Sequence, residues 1–330
     1  NVLETAREIV PEGNQLWAKR WGGIYGQTPR GVSVNVGGDI FITGSFSGQI
    51  EADGLVATND PEEGDYSLEE IFVLAIDGST HEALWVRSFT GSYNDVGTAV
   101  VADQVRHAVV AVSYHHTLTI DKDSGWVWDT GSDEFDVGLV RLDEQGNLIW
   151  AQSFGGPGNE EIIGLGMDAL GRTYIAGLFS DTASFGGDQL VGTDGYELLI
   201  AGYEDDGAHL WSVGYLGAGH DLAMDLEVAD DGLYVSGWFR DQLAIGDTVL
   251  QAAPNTYDAF VGRFSAADGS PVWVQGVGSD DEDQGSGVAI GGDGGVYLGG
   301  HIKGDVTFAG DLQLAPGAGL DAFVLRIDQD

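Results

Sequence analysis

Short apolar segments alternate with Gly- and Asp-rich turns along the whole chain, and one aromatic residue marks the period. A Trp preceded by Leu, Ile or Val recurs every 61 to 68 residues, at Trp17, Trp85, Trp150, Trp211 and Trp273. The apolar segments are five to eight residues long and rich in Val, Ile, Phe and Tyr, which is typical of strands. No long stretch has the 3.6-residue periodicity of an amphipathic helix.

Three further apolar runs lie between successive Trp segments. The first is rich in small residues and lies at 31–36, 98–103, 164–169, 224–229 and 287–292. The second lies at 40–46, 107–114, 173–179, 233–239 and 296–302. The third lies at 70–77, 136–143, 197–204, 258–265 and 321–328. Asp-Gly and Gly-Asn pairs between runs are hairpin turns, because Gly adopts positive φ without steric cost.

Each repeat therefore predicts a four-stranded antiparallel sheet, and repeats of this kind are typical of propeller blades. Five copies predict an all-β, five-bladed β-propeller, with the small-residue strand innermost and the Trp strand outermost. The first strand, Gln15–Trp21, and the last, Asp321–Asp328, are of the types that form a hairpin in the other repeats. We expect these two to pair and close the ring, which removes an exposed sheet edge.

The domain organisation follows from this count. A length of 330 residues alone would suggest about two domains, but the repeats predict one domain over 1–330. The predicted blades are 31–89, 98–154, 163–215, 224–277 and 286–330, the last completed by 14–21.

The repeats resemble the bacterial β-propeller repeat family known as SBBP repeats. The matching features are DAFV at 258–261 and 321–324, the G-x-x-x-W hairpins, and the turns of 168–177 and 230–237. The resemblance covers the chain from about Gln15 to Asp330 and implies an extracytoplasmic bacterial propeller, with little about function. The second repeat departs most, with DQVR at 103–106 and the insert of 121–133.

The amino-acid composition restricts the classes of molecule that the protein is expected to bind. The chain has 53 acidic and 13 basic residues, a formal net charge of −40 and no Cys. This charge opposes nucleic acid and anionic membranes, which both need basic patches. The lack of Cys excludes disulfides and thiolate chemistry. No signal peptide or membrane span is visible in the sequence, and we expect an extracellular or cell-surface protein of a bacterium, monomeric by default.

Two positions on the longer-loop face of the predicted propeller repeat as acids. The position ten residues after each Trp, expected to ring the channel mouth, holds Gln27, Asp95, Glu160, Asp221 and Asp283. The start of the third run, expected further out, holds Glu70, Asp136, Glu197, Asp258 and Asp321. Clustered carboxylates repel unless they are neutralised. They suit three roles, as acceptors of backbone N–H groups, partners of Arg, or Ca²⁺ ligands.

We call the first set the inner acids and the second set the outer acids. Two of the alternative functions depend on the inner acids. Asp95, Glu160, Asp221 and Asp283 are the candidate ligands of a metal such as Ca²⁺ and, if the protein is a glycoside hydrolase, the candidate catalytic carboxylates. Glu160 is then the candidate proton donor. No sequence motif of the commoner hydrolases or nucleotide-binding proteins is present.

Residues that interrupt the repeat are the candidate ligand contacts. They are His115, His116, Trp126, Trp128, His220, Trp238, Arg240 and His301. Trp126 and Trp128 alternate, so both would project the same way from an extended insert. Aromatic faces beside carboxylates suit sugar rings, while several His with a carboxylate suit a transition metal.

The leading functional hypothesis is an extracytoplasmic binding or adhesion module for a glycan or protein, with a Ca²⁺ requirement as an open possibility. The alternatives are a glycan hydrolase and a metal site built from loop-face His. A flat interaction scaffold without a ligand site is a further alternative.

Overall fold

The computed structural model describes residues 17–23, 25–59, 68–131, 134–307, 313–315 and 319–328. Within these ranges the secondary structure is all β. They contain no helix of the length and apolarity that a membrane crossing requires. The predicted all-β class is confirmed.

The strands follow the predicted runs, and the loop between the second and third run of each repeat folds into an additional hairpin. The first repeat contains β1 (Gln27–Val34), β2 (Ile40–Phe46), β3 (Gln49–Ala52), β4 (Leu55–Thr58), β5 (Glu70–Ile76) and β6 (Ala83–Gly91). The second contains β7 (Val96–Ala102), β8 (Ala108–His115), β9 (Thr117–Asp121), β10 (Trp126–Asp129), β11 (Phe135–Leu142) and β12 (Leu148–Phe154). The third contains β13 (Glu160–Met167), β14 (Thr173–Ala183), β15 (Leu190–Tyr203) and β16 (His209–Tyr215), whose long central strands form the hairpin themselves.

The last two repeats follow the same plan. The fourth contains β17 (Gly217–Ala218), β18 (Asp221–Ala229), β19 (Gly232–Arg240), β20 (Gln242–Ile245), β21 (Thr248–Gln251), β22 (Tyr257–Phe264) and β23 (Pro271–Val277). The fifth contains β24 (Gln284–Ile290), β25 (Val296–Ile302), β26 (Val306–Thr307), β27 (Gln313–Leu314) and β28 (Asp321–Ile327).

The main strands of each repeat form one antiparallel sheet, and these sheets are numbered one to five along the chain. The β9–β10 hairpin of the second repeat extends sheet one beyond β6. In sheets one to four the small-residue strand is followed by the second, third and Trp strands, in the orders β1-β2-β5-β6, β7-β8-β11-β12, β13-β14-β15-β16 and β18-β19-β22-β23. The fifth sheet has three strands in the described residues, β24-β25-β28. The small-residue strands contact one another in series, from β1 through β7, β13 and β18 to β24, as expected of the strands nearest a common axis.

Each Trp strand is attached to the following sheet. The indole Nε1–H groups of Trp85, Trp150 and Trp211 donate to the backbone carbonyls of Glu144, Asp205 and Ala266, at 2.9–3.1 Å. These carbonyls lie in the turn between the third strand and the Trp strand of the next sheet. A glycine of the same turn, Gly146, Gly207 or Gly269, faces the indole so closely that a Cβ there would lie within 3.0 Å of the ring. The regular spacing of the Trp residues therefore reflects their packing between neighbouring sheets.

The predicted pairing of the first and last strands is not formed. Residues Trp17–Trp21 form no strand, while Gln15 lies outside the described residues. Trp17 instead stacks on His81 with ring centroids 4.5 Å apart, and Nζ of Lys19 donates to Asp53, 2.9 Å away. These contacts attach the segment to sheet one. Among the described strands, none of the principal packing contacts joins sheet five to sheet one.

Neighbouring strands approach so closely at Gly177 of β14 that a side chain there would clash. A Cβ at this position would lie 1.9 Å from the backbone carbonyl oxygen of Glu161 on β13. Because a strand backbone cannot move aside, we expect Gly177→Ala to lower the free energy of unfolding by about 3 kcal/mol. Urea denaturation measures this change as a lower midpoint. Gly292→Ala is the control, because a Cβ there meets no atom within 4 Å; equal midpoints for the two variants would contradict the prediction.

Candidate functional site

The repeated acids form pairs between neighbouring sheets. The outer acid of one sheet lies beside the inner acid of the next, giving the pairs Glu70/Asp95, Asp136/Glu160, Glu197/Asp221 and Asp258/Asp283. All eight side chains are buried, with at most 8% of their surface exposed. The sequence had led us to expect the inner acids around an open channel mouth. They lie instead within the junctions between sheets.

Backbone amides explain why the inner acids turn inward. Asp95 accepts a hydrogen bond from the amide of His115 at 3.0 Å, Asp221 from that of Arg240 at 3.2 Å, and Asp283 from that of Lys303 at 2.8 Å. Each of these amides follows or ends the second strand of the same sheet. The interpretation of the acids as acceptors of backbone N–H groups is therefore confirmed at these positions.

The outer acids approach a glycine that ends or follows the Trp strand of the same sheet. The amide of Gly91 donates to Glu70 at 2.7 Å, and that of Gly217 to Glu197 at 3.2 Å. At Gly155 a Cβ would lie 2.1 Å from Oδ1 of Asp136 and 2.8 Å from Oε2 of Glu160. A side chain at this position would occupy the space that the two carboxyl groups share.

Burial disfavours the charged form of these carboxyl groups and raises their pKa values. The pKa is raised to about 6 for Asp136, about 7 for Asp258, about 8 for Glu70 and Asp221, and about 9 for Asp95 and Glu160. For all of these except Glu70 and Asp136, the neighbouring carboxyl raises the pKa further. Near neutral pH each pair therefore holds a proton more readily than two separate carboxylates would.

The arrangement does not bring the four inner acids into one site. Asp95, Glu160, Asp221 and Asp283 belong to four different junctions, and none has more than 1% of its surface exposed. Asp136 and Glu160 are in hydrogen-bonding contact, which leaves no room for a sugar between two carboxylates at the separations that glycosidases use. In the part of the chain that the structure describes, no three His, Asp or Glu side chains gather in a geometry suited to a metal ion.

One cleft reaches a carboxyl pair. It lies between sheets two and three, has a volume of about 610 Å³, and is lined by Thr130, Asp136, Gln152, Ser153, Gly155 and Ser184. Asp136 is 8% exposed and is in hydrogen-bonding contact with Glu160. The hydroxyl of Ser153 is 2.5 Å from that of Tyr114, which fixes one wall. The cleft thus presents hydroxyl groups and the amide of Gln152 beside a buried carboxyl pair, a lining that suits a polar ligand.

Four rings form a cluster next to this cleft, on the loop face of sheet two. Tyr93 stacks on His116 at a centroid distance of 4.4 Å, and His115 stacks on Phe135 at 4.9 Å. Tyr93 is 47% and Phe135 41% exposed. Phe135 directly precedes Asp136, and the amide of Thr130 donates to the carbonyl of His116 at 2.8 Å. We call Tyr93, His115, His116 and Phe135 the aromatic cluster.

His115 and His116 were predicted to lie on this loop face, whereas Phe135 and the position of Asp136 in the lining of the cleft were not predicted. A usable signal exists, because an aromatic residue precedes the outer acid in three repeats, at Phe135, Tyr196 and Tyr257. In the fourth repeat, Tyr257 lies against Trp238 with centroids 4.8 Å apart.

The prediction that Trp126 and Trp128 project together is wrong. Trp128 is buried, 5.5 Å from the ring of Tyr114, while Trp126 is 40% exposed. The pairing of β9 with β10 shifts register between Trp126 and Val127. This irregularity breaks the simple alternation on which the prediction depended, so Trp128 belongs to the core.

The remaining candidate ligand contacts lie in other sheets or at other junctions. Nδ1 of His220 accepts from the amide of Tyr196 at 3.1 Å. The guanidinium of Arg240 lies 5.7 Å from the ring centre of Tyr257. His301 is on β25 of sheet five. The predicted ligand residues therefore divide among several junctions, and His115 and His116 are the ones beside the cleft.

Comparisons with known proteins supply no family. No protein-family model and no curated protein matches the sequence, so the resemblance to the SBBP repeats stays a prediction. Among solved structures, BamB from Moraxella catarrhalis is similar at 15% identity with a TM-score of 0.35, over 92% of this chain and 77% of that one. A quinohemoprotein alcohol dehydrogenase from Comamonas testosteroni is similar at 10% identity with a TM-score of 0.31, over 82% and 56%. A europium-containing methanol dehydrogenase has 12% identity and a TM-score of 0.31, over 82% and 73%.

Proposed function

We propose that the protein is an extracytoplasmic binding module that holds a carbohydrate in the cleft between sheets two and three. The observation that carries this proposal is the position of the exposed aromatic cluster beside a cleft lined by Gln152, Ser153, Ser184 and Asp136. The high acidity of the chain is consistent with a protein that works in a saline, extracellular setting.

The chemistry of the cleft suits a polyhydroxylated ligand. A sugar presents hydroxyl donors on its rim and an apolar C–H face, and aromatic rings contact such faces favourably. The side chains of Gln152, Ser153 and Ser184 can donate hydrogen bonds to sugar hydroxyls and accept hydrogen bonds from them, and Asp136 lines the same cleft. The exposed edges of Tyr93 and Phe135 would cover part of the apolar face.

We propose the scaffold to be a five-bladed β-propeller in which each sheet is one blade. Five sequence repeats form five sheets that share the small-residue, second and third strands, and four of these sheets also contain the Trp strand. Neighbouring sheets share the same acid pair and the same Trp-to-turn contact at the junctions cited above. In this scaffold the cleft lies on the longer-loop face, where insertions vary most between repeats.

A panel of immobilised glycans tests the binding proposal. We expect the wild-type chain to bind at least one glycan class, and Phe135→Ala and Asp136→Asn to weaken that binding about tenfold or more. Val249→Ala is the matched control, since Val249 is also exposed but lies on the β21 hairpin of another sheet. The measurement is repeated with Ca²⁺ and with a chelator, because a Ca²⁺ requirement belongs to the same hypothesis.

Two results would reject the proposal. One is the absence of binding to every glycan, with and without Ca²⁺. The other is binding that Val249→Ala weakens as strongly as the two cleft variants, because the ligand would then be held elsewhere.

A further inference from the structure

Three neighbouring turns carry large apolar side chains at their exposed tips. They connect the first and second strands of sheets one, two and three, and their residues Val36, Val105 and Leu170 are 84%, 58% and 71% exposed. We call these three side chains the apolar tips. Turn residues are usually small or polar, and the matching turns of sheets four and five follow that rule with Asp230, Asp231, Gly292 and Asp293. Apolar residues gathered on three consecutive sheets are typical of a surface that contacts another molecule.

A groove with a volume of about 560 Å³ lies among the apolar tips. All three sheets contribute to its lining, which includes Val34, Ala102, Asp103, Met167, Asp168 and Asp205. In an antiparallel sheet the first-to-second-strand turns lie at the opposite end from the second-to-third-strand loops. The groove is therefore at the other end of the strands from the cleft that Asp136 lines, and it is a separate site.

Arg106 fixes the wall of the groove between sheets one and two. Its Nε lies 2.6 Å from the carboxylate of Asp39, and another guanidinium nitrogen lies 3.3 Å from that of Asp77, both in sheet one. Arg106 holds a positive φ of 71°, at the turn position where sheets one and three have Gly38 and Gly171. A non-glycine residue in this conformation is uncommon and persists where its surroundings hold it. The two ion pairs thus fix the turn of sheet two that forms this wall.

Arg141 fixes the wall between sheets two and three. This residue is buried, and its guanidinium lies 3.3 Å from the carboxylate of Asp103. It also donates to the backbone carbonyls of Asp205 and Gly171 in sheet three, at 2.6 and 3.4 Å. Both walls are therefore held in place before a partner binds, and a preformed site loses less conformational entropy on binding.

The surface around the groove is acidic. Ten Asp or Glu and two Arg lie in the six turns at this end of sheets one to three, which are residues 35–39, 77–82, 103–107, 143–147, 168–172 and 204–208. The two Arg already pair with Asp39 and Asp168, while Asp205 beside the groove is exposed. A second copy of the chain has the same net charge of −40 and is repelled, as is an anionic membrane. Charge complementarity therefore favours a partner that carries Lys or Arg.

We infer that the groove binds a segment of another protein in which large apolar side chains are flanked by Lys or Arg. The apolar side chains pack on Val36, Val105 and Leu170, and the cations lie against Asp205 and the other turn carboxylates. The tips supply apolar area that becomes buried on binding, and the acids supply selectivity for a basic partner. This site does not depend on the proposed carbohydrate site, which lies at the other end of the strands.

A phage-displayed library of random peptides tests this site. Peptides selected on the biotinylated chain should combine large apolar residues with Lys or Arg, and fluorescence anisotropy then measures the affinity of a selected, dye-labelled peptide. We expect Val105→Ser and Leu170→Ser each to weaken its binding about tenfold or more, and added salt to weaken it further. Val249→Ser is the control, since Val249 is 56% exposed on the β21 hairpin of the fourth repeat. Phe135→Ala, in the carbohydrate cleft, should bind the peptide as the wild type does.

Several results would overturn the inference. Selected peptides without enrichment in Lys or Arg would do so, as would binding that Val249→Ser weakens as much as Leu170→Ser. A dimer in light scattering that Leu170→Ser dissociates would assign the groove to a second copy, and binding to phosphatidylglycerol vesicles that Leu170→Ser abolishes would assign it to a membrane. Amide hydrogen exchange of the unmodified chain with the selected peptide does not depend on how any variant folds. We expect protection at 103–107 and 168–172, and protection confined to other residues would contradict the site.

Discussion

We expect the free energy of unfolding to fall as the pH is raised from about 4 to about 9. In the folded chain, burial raises the pKa of six junction carboxyls to values between about 6 and about 9, whereas unfolded Asp and Glu titrate near 4. Between these values the folded state binds more protons than the unfolded state, so stability decreases with pH. A tenfold change in proton affinity corresponds to about 1.4 kcal/mol, so one such carboxyl alone changes stability by about 3 kcal/mol or more across the window.

Below about pH 4 we expect the free energy of unfolding to decrease as the pH falls. Hydrogen bonds from Ser79 and Thr80 hold the pKa of Asp77 below its usual value, and those from Ser270 do the same for Asp268. These turn carboxylates contribute stability that is lost as the pH falls below about 4. We therefore expect maximum stability at mildly acidic pH, measured by urea denaturation at several pH values.

The variant Glu160→Gln tests whether the junction carboxyls cause this pH dependence of stability. The amide is nearly isosteric and never ionises, so this variant should unfold at higher urea concentration than wild type at pH 8 and lose stability less steeply with pH. Asp123→Asn removes an exposed carboxylate and serves as the control. Identical pH dependence in wild type and Glu160→Gln would show that the junction carboxyls do not retain their protons.

Trp211→Ala is expected to cost about 3–5 kcal/mol of the free energy of unfolding. Trp211 is buried, its indole N–H donates to the carbonyl of Ala266 at 3.1 Å, and its ring lies against Gly269 of the next sheet. Truncation removes a large apolar contact and leaves the carbonyl without this donor. The urea midpoint at constant pH measures the loss.

Two comparisons separate the contributions. Trp211→Phe keeps an aromatic ring and loses the N–H group, so it should cost less than the Ala variant. Trp126→Ala removes an indole that is 40% exposed, and we expect a change within about 0.5 kcal/mol. If Trp126→Ala and Trp211→Ala destabilise equally, the Trp-to-turn contact is not what stabilises the junction.

The strand pattern was predictable because each repeat carries its own local signal. Alternating apolar runs and Gly-containing turns identify four strands per repeat, and hydrogen bonding in the first four sheets follows that order. The role of the acids as acceptors of backbone amides was also predictable, since a carboxylate at a fixed repeat position has the same loop to stabilise in every copy. The hydrogen bonds of Asp95, Asp221 and Asp283 are of this kind.

The site was less predictable because it depends on contacts between repeats. Spacing within one repeat does not reveal that Asp136 faces Glu160 of the next sheet, so the two acid positions looked like separate rings. Trp128 was misplaced because a register shift beside Trp126 cannot be seen in the alternation of residue types. Phe135 was not predicted because the position before the outer acid varies among the repeats, being aromatic in three of them and Glu69 or Leu320 in the others.

The buried acid pairs also alter how the molecule should migrate in an electric field. At pH 7, Glu70, Asp95, Glu160 and Asp221 have pKa values of about 8 to 9 and keep their protons. The folded chain then carries a net charge of about −36, and the unfolded chain carries the formal −40. Capillary electrophoresis combined with a hydrodynamic radius should therefore detect about four protons released when the protein unfolds at neutral pH.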